Sequence, residues 1–421
     1  MRALRRGISV IVFALAAATA WLFWSLPQPA ASPDDPAALQ GRPPAALVAQ
    51  GRYLIRVGNC AGCHTTPGGR PFAGGLALES DFGTFHTPNI TPDPDTGIGD
   101  WSEPQFWRAM HRGIRADGSR LYPACPYPSF TRVTRADVDA IYAYLRTVKP
   151  VRHRTPAHDL DFPYSVRPLL AVWQALYFRP ETYQPDPGRG KQWNRGRYLV
   201  EGLGHCDECH RQRNAMGAKR SSPSAPGGMV HHWYAPSLGS PAEAGLQSLD
   251  IMQAAMLLRS GRSGDTVMMG PMADVVFQSL QHLSRDDARA MAAYLTSIPE
   301  TAVAGARRGA TDSPAELKRT LALGKRIYDN GCSDCHGDAG RGSEGVAALA
   351  GNRGVMLDNP VNVINMIREG GFPAAVPGDP RPYGMPPHYN LSRQEIAAVA
   401  TYIRRRWGNQ ARPVTTIDVA E

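Results

Sequence analysis

Six of the seven cysteines in this 421-residue chain fall into three copies of one pattern: Cys60-Ala-Gly-Cys63-His64, Cys206-Asp-Glu-Cys209-His210 and Cys332-Ser-Asp-Cys335-His336. CxxC pairs also serve structural zinc and redox dithiols. Zinc needs four ligands from nearby segments, whereas each pair here stands more than 120 residues from the next and always has a histidine directly attached. Covalent attachment of a c-type haem needs that arrangement, because two cysteine sulfurs bond the vinyl groups and the adjacent histidine reaches the iron. The pattern therefore points to three covalently bound haem c groups. They would be held by Cys60, Cys63, Cys206, Cys209, Cys332 and Cys335, with His64, His210 and His336 on the irons.

Electron-carrying c-type haems have a methionine opposite the histidine, and its soft thioether raises the reduction potential. Met385 in Tyr383-Gly-Met385-Pro-Pro387 takes that place in the third unit, seven residues ahead of Ser392. In the second, Met272 in Gly270-Pro-Met272-Ala fits best, with Met268 and Met269 as competitors. The first unit holds no methionine there. Nine residues before Thr134 the chain reads Pro123-Ala-Cys125-Pro-Tyr127, so the seventh cysteine occupies the ligand position. Four readings stand side by side. Cys125 binds the iron as a thiolate and lowers its potential, within a span of about 0.8 V that haem ligands command; it stays a neutral thiol while Met110 takes the iron; the site is open; or Cys125 is a small buried residue away from the iron.

These groups need a scaffold, and the scaffold is repeated. Each motif follows a short helical lead-in: Gly51-Arg-Tyr-Leu54, Gly196-Arg-Tyr-Leu199 and Gly324-Lys-Arg-Ile-Tyr328. Each is followed dozens of residues later by a closing helix whose Ser or Thr cap (Thr134, Ser284, Ser392) precedes Asp or Glu by three, with apolar residues then recurring at helical spacing. A unit of about 100 residues struggles to build a full core alone, and a buried porphyrin supplies apolar volume. The expected fold is mostly α, with three haem units in tandem and long Pro/Gly-rich loops after an N-terminal signal or anchor segment. The predicted boundaries are 1–31 for that segment, 45–152, 191–300 and 316–409 for the units, 153–190 for a connecting segment with an apolar helix, 301–315 for a linker and 410–421 for a polar tail.

Arg2, Arg5 and Arg6 precede an uncharged stretch from Gly7 to Leu26, the sign pattern of an exported segment. Ala18-Thr19-Ala20 is a candidate cleavage site, but the apolar run continues through Trp24 and reaches the roughly 20 residues that span a bilayer. The reading inclines to a retained anchor, with the rest of the chain on the periplasmic side of the cytoplasmic membrane. The net charge of +9 is spread without a basic block, so no nucleic-acid partner is expected. The basic residues screen haem propionates, face anionic lipid or meet an acidic partner.

Several stretches carry a resemblance: Phe72-Ala-Gly-Gly75, Thr87-Pro-Asn-Ile-Thr91 with Thr96-Gly-Ile-Gly-Asp-Trp101, Leu121-Tyr-Pro-Ala124, Arg197-Tyr-Leu-Val-Glu-Gly202 and Trp407-Gly-Asn409. Over roughly residues 45 to 410 the chain resembles the three-haem cytochrome c subunit of bacterial membrane-bound dehydrogenases, the alcohol, gluconate, sorbitol and aldehyde oxidising complexes. The resemblance implies class I cytochrome c-like domains and a partner catalytic subunit of quinoprotein, flavoprotein or molybdenum type. It also implies ubiquinone or an oxidase as acceptor, and several relatives with methionine at the place of Cys125.

No triad, paired catalytic carboxylates or organic cofactor motif is present, so substrate oxidation belongs to a separate subunit. Two other classes compete: a peroxidase-like enzyme working at the first haem, and a freestanding periplasmic carrier. Gly340-Arg-Gly342-Ser-Glu-Gly345 matches the dinucleotide fingerprint but follows a haem motif instead of a strand, and is read as a loop. The apolar run Arg167–Phe178, interrupted by Gln174, predicts a helix buried between the first two units. The nine histidines outside the motifs receive no role.

Overall fold

Gly51, Gly196 and Gly324 each sit where two helices cross too closely for a side chain. A Cβ at these positions would lie 1.8, 1.8 and 2.2 Å from the carbonyl oxygens of Ala140, Ala290 and Ala398. The computed structural model describes residues 43–220, 226–264, 266–301, 313–343 and 345–420, and these are mostly helical. The segment read as a signal or anchor lies outside the described residues. Among those residues no helix is long and apolar enough to cross a membrane.

The crossing occurs three times. The lead-in helices Ala45–Val57, Lys191–Tyr198 (continued by a π-helical turn, Leu199–Leu203) and Pro314–Gly331 pack on the closing helices Arg135–Leu145, Arg285–Leu295 and Arg393–Arg405. The closing helices start at the predicted caps: Thr134, Ser284 and Ser392 side chains accept from the amides of Asp137, Asp287 and Glu395. Each buries one stripe, Val138/Ile141/Leu145, Ala288/Met291/Leu295 and Ile396/Val399/Ile403.

Between lead-in and closing helix, where the sequence predicted loops, a further helix forms in every repeat: Glu103–Arg112, Ile251–Ser260 and Val361–Glu369. The first two open with capping boxes, Ser102 with Gln105 and Asp250 with Gln253. All three end at a glycine with positive φ, Gly113 (63°), Gly261 (71°) and Gly370 (69°), a conformation that glycine adopts without strain. Sheet is confined to short antiparallel ribbons. Gly83–His86 lies between Ala77–Ser80 and Asp159–Leu160, with Thr84 opposite both Glu79 and Asp159.

The first two repeats share one apolar core, from Leu54 and Ile141 to Leu203 and Met291, which also takes in Ala374 and Val376; the third has its own around Tyr328, Val399 and Tyr402. The first two are joined reciprocally. Tyr53 Oη accepts from the Ser284 amide and donates to Asp287 (2.6 Å), while Tyr198 Oη accepts from the Thr134 amide and donates to Asp137 (2.6 Å). Within each repeat the residue before the crossing glycine holds the same acid, Gln50 to Asp137 at 2.7 Å and Arg195 to Asp287 at 2.8 Å. Burial pushes the Asp287 carboxyl up, but the bonds from Arg195 and Tyr53 outweigh it and hold the group below its usual range.

The apolar run at 167–178 departs from its expectation. It forms a 3₁₀ turn, Arg167–Leu169, and a helix, Leu170–Tyr177, that buries only Leu170, Ala171 and Trp173 and leaves Leu169, Leu176 and Tyr177 exposed. It still bridges the first two repeats. Trp173 Nε1 donates to the Met216 carbonyl (2.8 Å), and Gln174 receives Arg120 Nε (2.9 Å).

The crossing geometry gives a direct test. Gly196→Ala is expected to lower stability by about 1–3 kcal/mol, since the Ala290 carbonyl must move away. Gly190→Ala, at a helix start with nothing within 4 Å, should leave it nearly unchanged. Chemical denaturation of both variants beside the parent checks the difference.

Candidate functional site

The three motifs adopt the same local structure. Short helices, Cys60–His64, Asp207–His210 and Ser333–His336, leave the lead-in helices, so each histidine emerges one turn beyond the first cysteine. Each imidazole then meets a backbone carbonyl. His64 Nδ1 lies 2.8 Å from the Pro88 oxygen, His210 Nδ1 2.7 Å from that of Pro236, and His336 Nδ1 3.1 Å from that of Ala347. A carbonyl only accepts, so Nδ1 carries the proton and Nε2 keeps its lone pair, as in metal-ligating histidines. Burial pushes all three imidazoles below their ordinary pKa.

The thiols are free. Burial pushes Cys60 and Cys206 up to about 12, and Cys209 and Cys332 up to about 11, so these sulfurs are protonated at neutral pH. Among the described residues no group of three or more His, Cys, Asp or Glu side chains is placed to hold a metal ion.

The second and third motifs open into one cavity of about 800 Å³. Cys206, Cys209 and His210 line it with Met268, Met269 and Met272, while Cys332, Cys335 and His336 line it with Met385. Leu257, Leu258, Leu295, Val399 and Ile403 make the surrounding wall apolar. Paired thiols, an imidazole with a bare Nε2, a thioether and an apolar pocket fit a c-type haem.

The first motif reaches the second differently. Cys63 and Cys209 lie within electrostatic reach of each other. Between them runs a contact that sequence reasoning missed, centred on Glu208 inside the second motif. Its side chain is only 9% exposed and accepts from Arg213 (2.7 Å), Lys219 (2.7 Å) and, across the junction, Ser129 Oγ (2.7 Å). Burial alone would raise this carboxyl; Lys219 and Arg213 outweigh it and hold it at about 2. Nothing periodic marks such a cluster in the sequence.

Cys125 lies beside the first motif, near Cys60 and Cys63, and burial pushes its thiol up to about 12. Its register is set by the backbone. The Leu121 amide donates to the Gly113 carbonyl and the Met268 amide to the Gly261 carbonyl, both at 2.8 Å, and both glycines end the middle helix of their repeat. Counting four residues on from each anchor reaches Cys125 in one repeat and Met272 in the other. Met110 packs on the apolar core of the first two repeats.

Repeated helix crossings, CxxCH helices and carbonyl-anchored histidines define a c-type cytochrome. The cytochrome c family profile matches residues 48–149 and 321–407. The chain is 38% identical over 384 residues to the cytochrome c subunit of the alcohol dehydrogenase (quinone) of Gluconobacter oxydans (strain 621H), covering 87% of this chain and 80% of that protein. It is 37% identical over 401 residues to the gluconate 2-dehydrogenase cytochrome c subunit of Pantoea cypripedii, covering 89% of each. A nicotinate dehydrogenase subunit of Pseudomonas putida is 41% identical over 369 residues, 86% of this chain but only 30% of that protein's length. The chain belongs to the family of dehydrogenase cytochrome c subunits.

Glu208→Gln would leave Lys219 and Arg213 facing an uncharged amide in a buried junction. A loss of about 3 kcal/mol is expected, since breaking a buried pair strands the remaining charge. Urea unfolding of the haem-loaded chain measures it.

Proposed function

We propose that this chain carries three covalently attached haem c groups and relays electrons from a dehydrogenase catalytic subunit to ubiquinone or an oxidase. The observation that carries the reading is threefold: paired thiols beside an imidazole whose Nδ1 is tied to a backbone carbonyl. Cys60 with Cys63, Cys206 with Cys209, and Cys332 with Cys335 form the thioether links, and His64, His210 and His336 ligate through Nε2. Met272 and Met385 supply the second ligand in the second and third repeats. Cys125, in register with Met272, supplies it in the first.

Bound haem supplies a one-electron iron couple at each site. The protein's part is to keep ligands and walls still while charge changes. Each carbonyl–histidine bond fixes a ring orientation, and the apolar wall of the shared cavity keeps water from reorganising around the iron. The second repeat adjoins both others, through the Glu208 junction and the shared cavity, which makes it the middle station.

The names of the alcohol and gluconate dehydrogenase subunits support a dehydrogenase catalytic partner, and the resemblance of the sequence makes it a quinoprotein, flavoprotein or molybdenum enzyme. The arginine-led apolar segment within 1–31 supports export to the periplasmic side of the cytoplasmic membrane and retention there.

Made in a host competent for cytochrome maturation, the chain is expected to exceed its polypeptide mass by three haems, and Cys206→Ala/Cys209→Ala by two. A mature chain with no excess mass overturns the reading. Cys125→Met is expected to abolish a low-spin thiolate absorption signature and raise the midpoint potential of one haem. An unchanged spectrum removes Cys125 from the iron.

A further inference from the structure

The wall of the shared cavity holds two cations in otherwise apolar surroundings, Arg262 of the second repeat and Arg353 of the third. Arg353 stands at the start of a short helix, Arg353–Met356, and reaches back into the second repeat. Its Nη2 meets the carbonyl oxygens of Pro241 (2.7 Å), Glu243 (2.8 Å) and Gly245 (2.7 Å). Among the described residues no carboxylate pairs with it, and half-burial pushes its pKa down with no acid to restore it. The carboxylate in the same wall, Glu243, is occupied by Tyr234 Oη (2.9 Å) and the Ser237 amide (2.5 Å). Arg262 Nη2 is buried and stands 3.4 Å from Asp379 Oδ2 of the third repeat without a hydrogen bond.

Carbonyls orient a guanidinium and satisfy its N–H groups, but they do not cancel its charge. A cation held in a partly dehydrated wall is stabilised when an anion meets it. The chain supplies none to Arg353, so the anion arrives with whatever fills the cavity. Each occupant must have a large apolar body, an anchor at one CxxC pair and a carboxylate at its edge, the group that a guanidinium fork matches in a bidentate fashion. A haem meets all three conditions through its propionates.

We propose that Arg353 binds a propionate of a haem in the shared cavity, and that Arg262 binds a second carboxylate from the facing repeat. The inference rests on the functional reading above. Its content is that a side chain of the third repeat, seated on carbonyls of the second, makes the cofactor an ionic link between them. A fixed cation beside the porphyrin also favours the reduced, less positive iron.

The test uses the full chain matured with haem, with haem number taken first from intact mass. A wild-type chain without haem overturns the functional reading itself. In Arg353→Gln carrying three haems, one midpoint is expected to shift to lower potential in a spectroelectrochemical titration, and the redox-difference infrared band of a propionate carboxylate to move. Arg262→Gln is expected to give a separate, additive shift. Fully loaded Arg353→Gln with unchanged midpoints and carboxylate bands overturns the clamp while leaving the relay standing. Should Arg353→Gln not yield soluble protein, Arg353→Lys decides. It keeps the charge and loses the fork, so the carboxylate band is expected to move with the midpoint nearly held, and an unmoved band overturns the assignment.

Discussion

Everything in this protein hangs from a backbone-to-backbone helix crossing that only glycine permits. With the helices in contact at Gly51, Gly196 and Gly324, the lead-in helix has one orientation relative to the closing helix. The CxxCH turn leaves the end of that lead-in, so the same contact aims the thiols and the histidine. The carbonyls that receive Nδ1 lie farther along the chain, at Pro88, Pro236 and Ala347, and they complete the aim. A shift of either helix would move three functional groups together, which explains why a small residue sits at a point where packing density alone would favour a larger one.

The crossing also explains how the first two repeats pair. Tyr53 and Tyr198 each stand two residues beyond a crossing glycine, and each reaches the cap of the other repeat's closing helix. There the tyrosine hydroxyl satisfies an N-terminal amide and an acidic side chain at once, two groups that a helix start leaves in need of partners. A single geometry used twice gives a twofold contact, with Gln50 and Arg195 in matching places. Among the described residues nothing corresponding links the third repeat, whose closing-helix cap is satisfied internally by Glu395.

The helix pairs were legible in the sequence because their signals are local: a cap, an acid three residues on, and an apolar stripe. The middle helices were hidden among glycines and prolines, although Ser102 with Gln105 and Asp250 with Gln253 were capping boxes in plain view. The Leu170–Tyr177 helix misled in the other direction. Mean apolarity says that a helix wants cover, but which side finds it depends on Trp173 reaching Met216, a partner 43 residues away. Glu208 was illegible for the same reason. The residue that closes over it, Ser129, stands 79 residues upstream. The equivalence of Cys125 and Met272 lay between the two cases: spacing from the following cap differed by three residues, and only the Leu121 and Met268 amide bonds bring the two repeats into register.

The two junctions differ in kind, and the difference bears on assembly. The first and second repeats share apolar side chains, so their docking is a property of the polypeptide. The third adds Ala374 and Val376 to that core, and otherwise meets the second through polar contacts. Asn362 pairs with both backbone groups of Tyr234 (2.9 and 2.8 Å), Asn365 donates to the His232 carbonyl (2.8 Å), and Arg353 sits on three carbonyls. Such contacts give direction but little net stabilisation, since water competes for every one of them. What lies between these repeats is the cavity of about 800 Å³, onto which both CxxCH motifs and the methionines beside them open.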